Sequence, residues 1–503
     1  MSRVAFSIAM TEKVDAAARL HLLRRDGQED LCFALWHTSR GRSRTTALLN
    51  KLILPGPGDR NVHGNVSFEA RYLERAMSMA AAEGAGLALL HSHPAGRRWQ
   101  DMSPDDIAAE QGRAASVYGA TELPFIGLTV AGDGTWSARF WERTAPRTYS
   151  RAWCGTVRVV GERLKMHYMD QLAPPPRVTK AQIRTVSAWG QETQGEITRL
   201  RVGVVGAGSV GGIIAEALGR TGFEDVMVIE FDKIEEHNLD RLLYATRGDI
   251  GHPKVEILAR HLRQRATADP FFVEEITAAV YEDDGFRAAL DCDILFACVD
   301  RPWGRYILNL IAYAHLIPVF DGGIAVRTNR SGKLSSADWR AHTATVGRPC
   351  LECLGQYDPG LVQTERDGYL DDPTYIAGLP RGHALKMREN VFAFSMACAS
   401  KQMLQMLAYT IAPLDLSNPG AELYHFVGNH SEPPQFGGCK STCLFPSLVA
   451  RGDNCGIQAT GYGKHRPQIT GTRNPRQTRL VALTSTLRRW WRLIAQNLTT
   501  LST

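Results

Sequence analysis

The sequence predicts an α/β protein in two units, a mixed α/β unit over residues 1–150 and a unit built on a parallel sheet over 181–455. Three observations carry this. A chain of 503 residues exceeds one ordinary hydrophobic core. The first 150 residues interleave strand-like and helix-like hydrophobic patterns. From residue 200 strand and helix patterns alternate, and the first of those strands runs straight into a glycine-rich loop.

In order, the first unit reads as a helix over 15–25, strands over 31–37 and 45–54, and a helix over 69–83. A buried strand over 86–90 then runs into HSHP, followed by a helix over 104–117 and strands near 125–130 and 135–140. Residues 151–180, with APPPR at 173–177, read as a linker. The second unit reads as strands over 200–205, 225–231 and 293–298, with helices over 209–221, 253–266 and 304–314. Paired cysteines, loop and one long helix over 390–407 fill the rest to 455, and 456–503 is a basic tail. Its final LTSTLRRWWRLIAQNL is a candidate basic amphipathic segment, with a frayed terminus the preferred reading.

Hydrophobic content of 44% and charged content of 22% are those of a globular protein. The net charge of +6 belongs to the tail, where eight Lys or Arg from Lys464 to Arg492 meet no acid. The remaining 50 basic and 52 acidic residues nearly balance, which argues against nucleic acid as a partner. No apolar run is long enough to span a membrane and the start has no secretory core, so a cytoplasmic location is expected. Ten cysteines in such a chain point to metal or catalytic use before disulfides.

HSHPAGRRWQDMSPDD carries the first chemistry. His91 and His93, two apart on a strand, face the same side and can share one ion. Asp106, in the first turn of the next helix, adds a carboxylate, and three such ligands leave a position open, as catalytic zinc requires. Glu29, opening the strand-like EDLCF, is the candidate proton carrier, preferred over the helix-borne Glu69 and Glu74, and Ser103 the candidate oxyanion donor. A Glu on an early strand, His-x-His-Pro and Ser-x-x-Asp resemble the JAB/JAMM (Mov34/MPN-like) metalloprotease motif over about 150 residues. The resemblance implies a JAB/MPN-like α/β fold, Glu29 as general acid/base, His91, His93 and Asp106 as zinc ligands, and Ser103 as oxyanion support. Twelve residues separate His93 from Asp106, two more than the commonest form, and Trp99 in that loop can pack to restore the geometry.

RVGVVG leads into Gly206-Ala207-Gly208-Ser209-Val210-Gly211, whose backbone amides can approach phosphate at a helix start. Alone this is weak evidence, equally at home in a dehydrogenase. With EFDKIEEHNLDRLLY, GHPK and ACVD it resembles the ThiF/HesA and ubiquitin-activating superfamily over roughly 180–445. That resemblance implies a Rossmann-like domain that adenylates a carboxylate with ATP and Mg2+. It places Glu230 at the ribose, Asn238, Arg241 and Lys254 around the triphosphate, and Asp300 at magnesium. It matches Arg184 to an arginine that reaches a partner subunit's nucleotide, which implies a homodimer.

Cys350-x-x-Cys353 and Cys439-x-x-x-Cys443 offer four thiolates for a closed structural zinc site, with Cys455 a substitute ligand and buried free thiols the competing reading. Relatives with two CxxC pairs make CxxxC a departure. Cys292, Cys298 and Cys398 read as core, and no thioester cysteine is evident between 354 and 389. The expectation is an enzyme with two activities acting on a ubiquitin-like or sulfur-carrier β-grasp protein, adenylating its C-terminus and cleaving peptide or isopeptide bonds there. A conjugating enzyme is a further candidate partner. Such fusions resemble components of bacterial ubiquitin-like conjugation systems, some linked to phage defence. Sulfur-carrier activation for thiocarboxylate formation and a non-catalytic modifier-binding scaffold stay open beside it.

Overall fold

The computed structural model describes residues 5–63, 65–379, 389–415 and 419–457. The predicted terminal amphipathic segment, and the tail beyond 457, lie outside the described residues.

The first sheet contains β1 (Ala5–Thr11), β2 (Leu31–Arg40), β3 (Arg44–Ile53), β6 (Gly86–His93), β7 (Phe125–Ala131), β8 (Trp136–Ala145), β9 (Thr148–Val160) and β10 (Leu164–Tyr168). A hairpin of β4 (Arg60–His63) and β5 (Asn65–Phe68) stands apart. Helices α1 (Glu12–Leu22), α2 (Ala70–Ala82) and α3 (Pro104–Thr121) complete the unit. The strand order is β1-β3-β2-β6-β7-β8-β9-β10, and β1 also pairs with β9, which closes the sheet into a barrel-like ring. Closure leaves β1 paired on both sides, while β10 pairs with β9 alone. The central strands are buried on both faces, and alternation sorts their side chains. Cys32, Ala34 and Trp36 of β2 join one cluster with α1, and Leu31, Phe33 and Leu35 join another under α2 and α3.

The second sheet contains β11 (Arg201–Val205), β12 (Asp225–Ile229), β13 (Phe272–Ile276), β14 (Ile294–Ala297), β15 (Val319–Thr328), β16 (Leu334–Ala344), β17 (Glu422–His425) and β18 (His430–Ser431). Its helices are α4 (Ile183–Trp189), α5 (Gln191–Thr198), α6 (Ser209–Thr221), α7 (Lys254–Arg265), α8 (Asp283–Ala289), α9 (Pro302–Ala314), α10 (Pro359–Arg366), α11 (Pro373–Gly378) and α12 (Phe392–Ile411). The order is β13-β12-β11-β14-β15-β16-β17-β18. The first five strands are parallel and the last three antiparallel, so the expected parallel sheet is half of a mixed one. Residues such as Val205, Met227 and Leu295 pack on α8 and α9, while Val204, Val228 and Phe296 pack under α6, α7 and α12. No helix among the described residues is long and apolar enough to cross a membrane.

Two expectations need correction. Residues 148–168 are β9 and β10, paired into the first sheet, so the first half of the expected linker is barrel wall. Nor do the two units hang on a tether: Ala9, Leu48, Val160 and Leu164 of the barrel share one apolar cluster with Val202, Val204 and Met406 of the second unit. A buried ion network seals the joint. Arg44 donates to Asp293 at 2.6 Å, Arg158 approaches it at 3.3 Å, and Ser43 donates to Asp291 from both its backbone N–H and its hydroxyl. Burial pushes Asp293 up, but Arg44 and Arg158 outweigh it and hold the carboxyl below its usual value.

Candidate functional site

Strand β6 ends in His91 and His93, and the register with β2 sets Leu31 opposite His91. Continuing that antiparallel register brings Glu29 to His93. The expected strand from Glu29 begins two residues later, at Leu31. Helix α3 opens on Ser103 as N-cap, which forms a capping box with Asp106: Asp106 N–H donates to Ser103 Oγ at 3.1 Å, and Ser103 N–H donates to Asp106 Oδ2 at 2.9 Å. The cap uses Ser103 Oγ as an acceptor and leaves its hydrogen free to donate. It also orients the Asp106 carboxylate toward the histidines.

The three donors converge. His91 Nε2 lies 3.3 Å from His93 Nε2, and Asp106 oxygens lie 3.4 Å from each. Ligand bonds of about 2.0–2.1 Å in a tetrahedral site imply donor separations of about 3.3–3.4 Å. The residues therefore fit zinc. Burial, with Arg139 adding to it, pushes His91 down to about 3, so its imidazole is neutral and free to ligate at neutral pH. The Asp106 hydrogen bond raises His93. Burial pushes Asp106 up, but His93, His91 and Ser103 outweigh it and hold the carboxyl well below its usual range. Burial raises Glu29, partly offset by His93, in the direction a proton carrier needs.

Sequence reasoning missed the frame behind this cluster. Ser92, between the two histidines, faces the other way and accepts the Asp30 N–H at 3.0 Å. Asp30 is held by Arg60 from the β4–β5 hairpin and by Arg24, which ties down the chain beside Glu29. Thr129 Oγ1 lies 3.3 Å from His91 Nε2 and accepts from Arg139, itself paired with buried Glu110. A serine flanked by two histidines on an apolar strand was the available signal. Trp99 packs beside the barrel core, 6.3 Å from Trp153. Glu69 is the N-cap of α2 and accepts from Asn61, so it stays with the surface.

The glycine-rich loop follows β11. Gly206 has φ +98°, and a Cβ there would sit 2.4 Å from the Cys298 carbonyl oxygen; one on Gly211 would meet Gly206 O at 1.9 Å. Gly208 by contrast faces open space, with no heavy atom within 4 Å of the Cβ position. Tight packing below and an empty cradle above are what a backbone approaching phosphate needs, so the loop fits a nucleotide. Glu230, just after β12, accepts from Ala207 N–H at 3.0 Å and from its own following amides. Burial raises its carboxyl and Asp232 adds to that.

Lys254 opens α7 with Nζ 3.0 Å from Asp232. Burial opposes its charge, but Glu230, Asp232 and Asp300 outweigh burial and raise it. Asp300 lies exposed just beyond β14. Glu230, Lys254 and Asp300 thus share one electrostatic neighbourhood at the carboxyl end of the parallel strands. Asn238 is buried and accepts the Glu235 N–H at 3.1 Å, while Arg241 turns back onto His237 O at 2.7 Å and Asp240 at 2.9 Å. Arg184 is exposed on α4. Asp232, and Asn390 and Ser395 on Ser209 Oγ at 3.0 and 2.9 Å, went unread in the sequence; only Asp232, two residues after Glu230, carried a local signal.

Cys350, Cys353, Cys439 and Cys443 come together, with Cys350 and Cys443 sulfurs 3.6 Å apart. Backbone N–H groups of Cys350, Cys353 and Lys440 point at sulfurs. Zn–S bonds of about 2.3 Å imply sulfur separations of about 3.8 Å, so four thiolates here fit a closed zinc site. Cys455, the substitute considered above, is not in this group. Cys292 and Cys398 are buried, and Cys298 lies beneath Gly206.

Residues 179–414 match the model of the ThiF family. Curated relatives include the SAMP-activating enzyme E1 of Haloferax volcanii, 29% identical over 34% of this chain and 60% of that protein. Adenylyltransferase and sulfurtransferase UBA4 of Yarrowia lipolytica is 28% identical over 42% of this chain and 51% of its own length. The tRNA threonylcarbamoyladenosine dehydratase 2 of Saccharomyces cerevisiae is 31% identical over 30% and 34%. The chain thus spans between a third and three-fifths of the length of these relatives. A solved structure of E. coli MccB covers 53% of this chain and 74% of its own, with a TM-score of 0.41 at 16% identity, a likeness too weak to argue from. Residues 179–414 of this chain are a ThiF family domain with E1-like homologues.

Proposed function

We propose that this chain activates a ubiquitin-like or sulfur-carrier β-grasp protein at its ThiF domain, and hydrolyses peptide or isopeptide bonds of that protein at the barrel. The observation that supports the pairing is the convergence of His91, His93 and Asp106 at tetrahedral spacing on a unit that shares its core with the ThiF domain. The hydrolytic half rests on that geometry and on the JAB/JAMM-like arrangement of Glu29 and Ser103 around it.

ATP with Mg2+ would supply the adenylyl group and charge neutralisation when bound. The chain's own residues then divide the work. The Gly206–Gly211 loop offers backbone amides to phosphate, Glu230 accepts ribose hydroxyls, Asn238 holds the turn at 236–238 in place, and Arg241 and Lys254 offset negative charge as pyrophosphate leaves. Asp300 would hold the cation, and Arg184 would extend toward a second copy in a homodimer. At the barrel, His91, His93 and Asp106 would hold zinc, which supplies Lewis acidity to a hydrolytic step. Glu29 takes and returns the proton, and the Ser103 hydroxyl donates to the developing oxyanion. The four cysteines would hold a structural zinc.

The sulfur-carrier alternative has a specific support, the relative named adenylyltransferase and sulfurtransferase. Both readings share the adenylation step. ATP–pyrophosphate exchange with β-grasp proteins ending in glycine tests it, and exchange should require the modifier and vanish in Asp300→Ala. Silence across a broad panel, from folded zinc-loaded protein, would turn the reading to a modifier-binding scaffold.

A further inference from the structure

Directly after His93 the chain turns away from β6 and lines a groove of about 600 Å³ between Pro94, Gly96, Arg97 and Arg98 on one side and Asp133 on the other. The loop is held rigidly. Gly96 N–H donates to His93 O at 2.9 Å, Gly132 N–H to Gly96 O at 2.9 Å, and Arg98 N–H to Asp133 Oδ2 at 2.7 Å. Gln100 ties the apex by donating to the carbonyls of Arg97 and Arg98, the latter in the left-handed region at φ +60°. Gly132 approaches so closely that a Cβ would meet Pro94 O at 2.0 Å. This is the loop that carries the two residues beyond the commonest motif spacing.

The charges in this groove are not balanced by the protein. The Asp133 carboxylate is taken up by the backbone N–H groups of Arg98 and Thr135, which outweigh burial and lower it. Arg97 and Arg98 are exposed, and among the described residues neither guanidinium has an ion-pair, hydrogen-bond or aromatic partner. Other arginines of the barrel are engaged, such as Arg60 on Asp30 and Arg75 on Asp59. Two free planar cations on a braced loop, four and five residues beyond His93, match carboxylates by charge and by the fork each guanidinium presents.

We infer that this groove is a substrate subsite that recognises acidic side chains flanking the scissile bond of the peptide substrate, with Arg97 and Arg98 as the specificity-determining residues. The inference rests on the hydrolytic reading for its consequence, but the binding it predicts is measurable without turnover. Because the groove's loop starts at Pro94, directly after His93, a peptide with its acidic segment here would run on toward the His91, His93 and Asp106 cluster, so the charge pair would select substrates without touching the reacting atoms.

The test uses the full chain with fluorescent, C-terminally amidated peptides that carry either Glu or Gln at the flanking positions. In equilibrium anisotropy the Glu peptide should bind at least about fivefold tighter than the Gln peptide, and Arg97→Ala/Arg98→Ala should abolish that difference. Arg97→Glu/Arg98→Glu should reverse it toward a Lys peptide. Equal binding of Glu and Gln peptides by the wild type, or an unchanged preference in either double variant, overturns the subsite. Hydrolysis of the same peptides by zinc-loaded protein is scored separately. A binding preference without cleavage keeps the subsite and sinks the hydrolytic reading, whereas cleavage without preference does the reverse.

Discussion

The two candidate metal centres differ in completeness. At the barrel, two histidines and one carboxylate come from a strand end and the first turn of the next helix, and their donors converge with a fourth position open. In the second unit four sulfurs come from two segments about 90 residues apart, and no position is left for substrate. An open set suits chemistry, while a closed set spanning distant segments suits folding. The same element type would then be expected to fail differently at the two places when a ligand is removed.

The largest effect belongs to the closed site. Cys350→Ser should remove one equivalent of zinc and destabilise the second unit by several kcal/mol, since metal binding energy in such sites, about 10 kcal/mol or more, is coupled to folding. Metal analysis with a thermal melt checks this. An unchanged melt would mean that the four thiols are packed free cysteines.

Next comes the joint between the units. Asp293→Asn leaves Arg44 and Arg158 buried without their charge partner, and removing one member of such a network costs about 3–5 kcal/mol. Asp293 has a depressed folded pKa, so its contribution is fully present above its unfolded value of about 3.9 and is lost as pH falls through the folded one. Acid unfolding of the wild type should therefore contain a component that the Asn variant lacks. A variant as stable as wild type would show that the shared apolar cluster alone fixes the two units together.

The open site should respond in activity instead. His91→Ala should lower peptide hydrolysis by more than about 100-fold and leave ATP–pyrophosphate exchange and the melting temperature close to wild type. Loss of exchange as well would make the two sites one functional unit and dissolve the contrast between the centres.

How far these features were legible follows from their range. His91, His93, Ser103 and Asp106 lie within one short segment, and strand periodicity plus a capping pattern suffices to bring them to one point. The cysteine pairs were legible as pairs, because each is local. Arg44 and Asp293 are 249 residues apart, and nothing in either neighbourhood names the other. Strand β9 was read as linker because its first half breaks alternation, with Ser150 and Arg151 both exposed and Ala152 and Trp153 both half-buried, and only pairing to β1 and β8 makes it wall. Strand β1 was missed although Ile8 and Met10 face one cluster and Ala9 another, the alternation of a strand buried on both sides. The β15–β16 hairpin was missed despite a readable signal: Asn329 caps its own turn by accepting from Ser331 and Lys333, and Gly332 takes φ +76°.

The smallest expected effect is a displacement along the pH axis. Glu29 accepts a proton only while ionised, and burial raises its pKa above the ordinary glutamate value of about 4.3. The acid limb of kcat/KM for peptide hydrolysis should therefore fall at a higher pH than a solvated glutamate gives, with activity rising as pH climbs through it. Its counterpart in ATP–pyrophosphate exchange should show no such limb, because Glu29 belongs to the barrel alone. Glu29→Gln keeps the shape and hydrogen bonding of the side chain but cannot carry the proton, so hydrolysis should drop by about 100-fold or more and the limb should disappear from what remains. A limb that persists unchanged in Glu29→Gln would assign the titration to another group and leave Glu29 as a wall of the site.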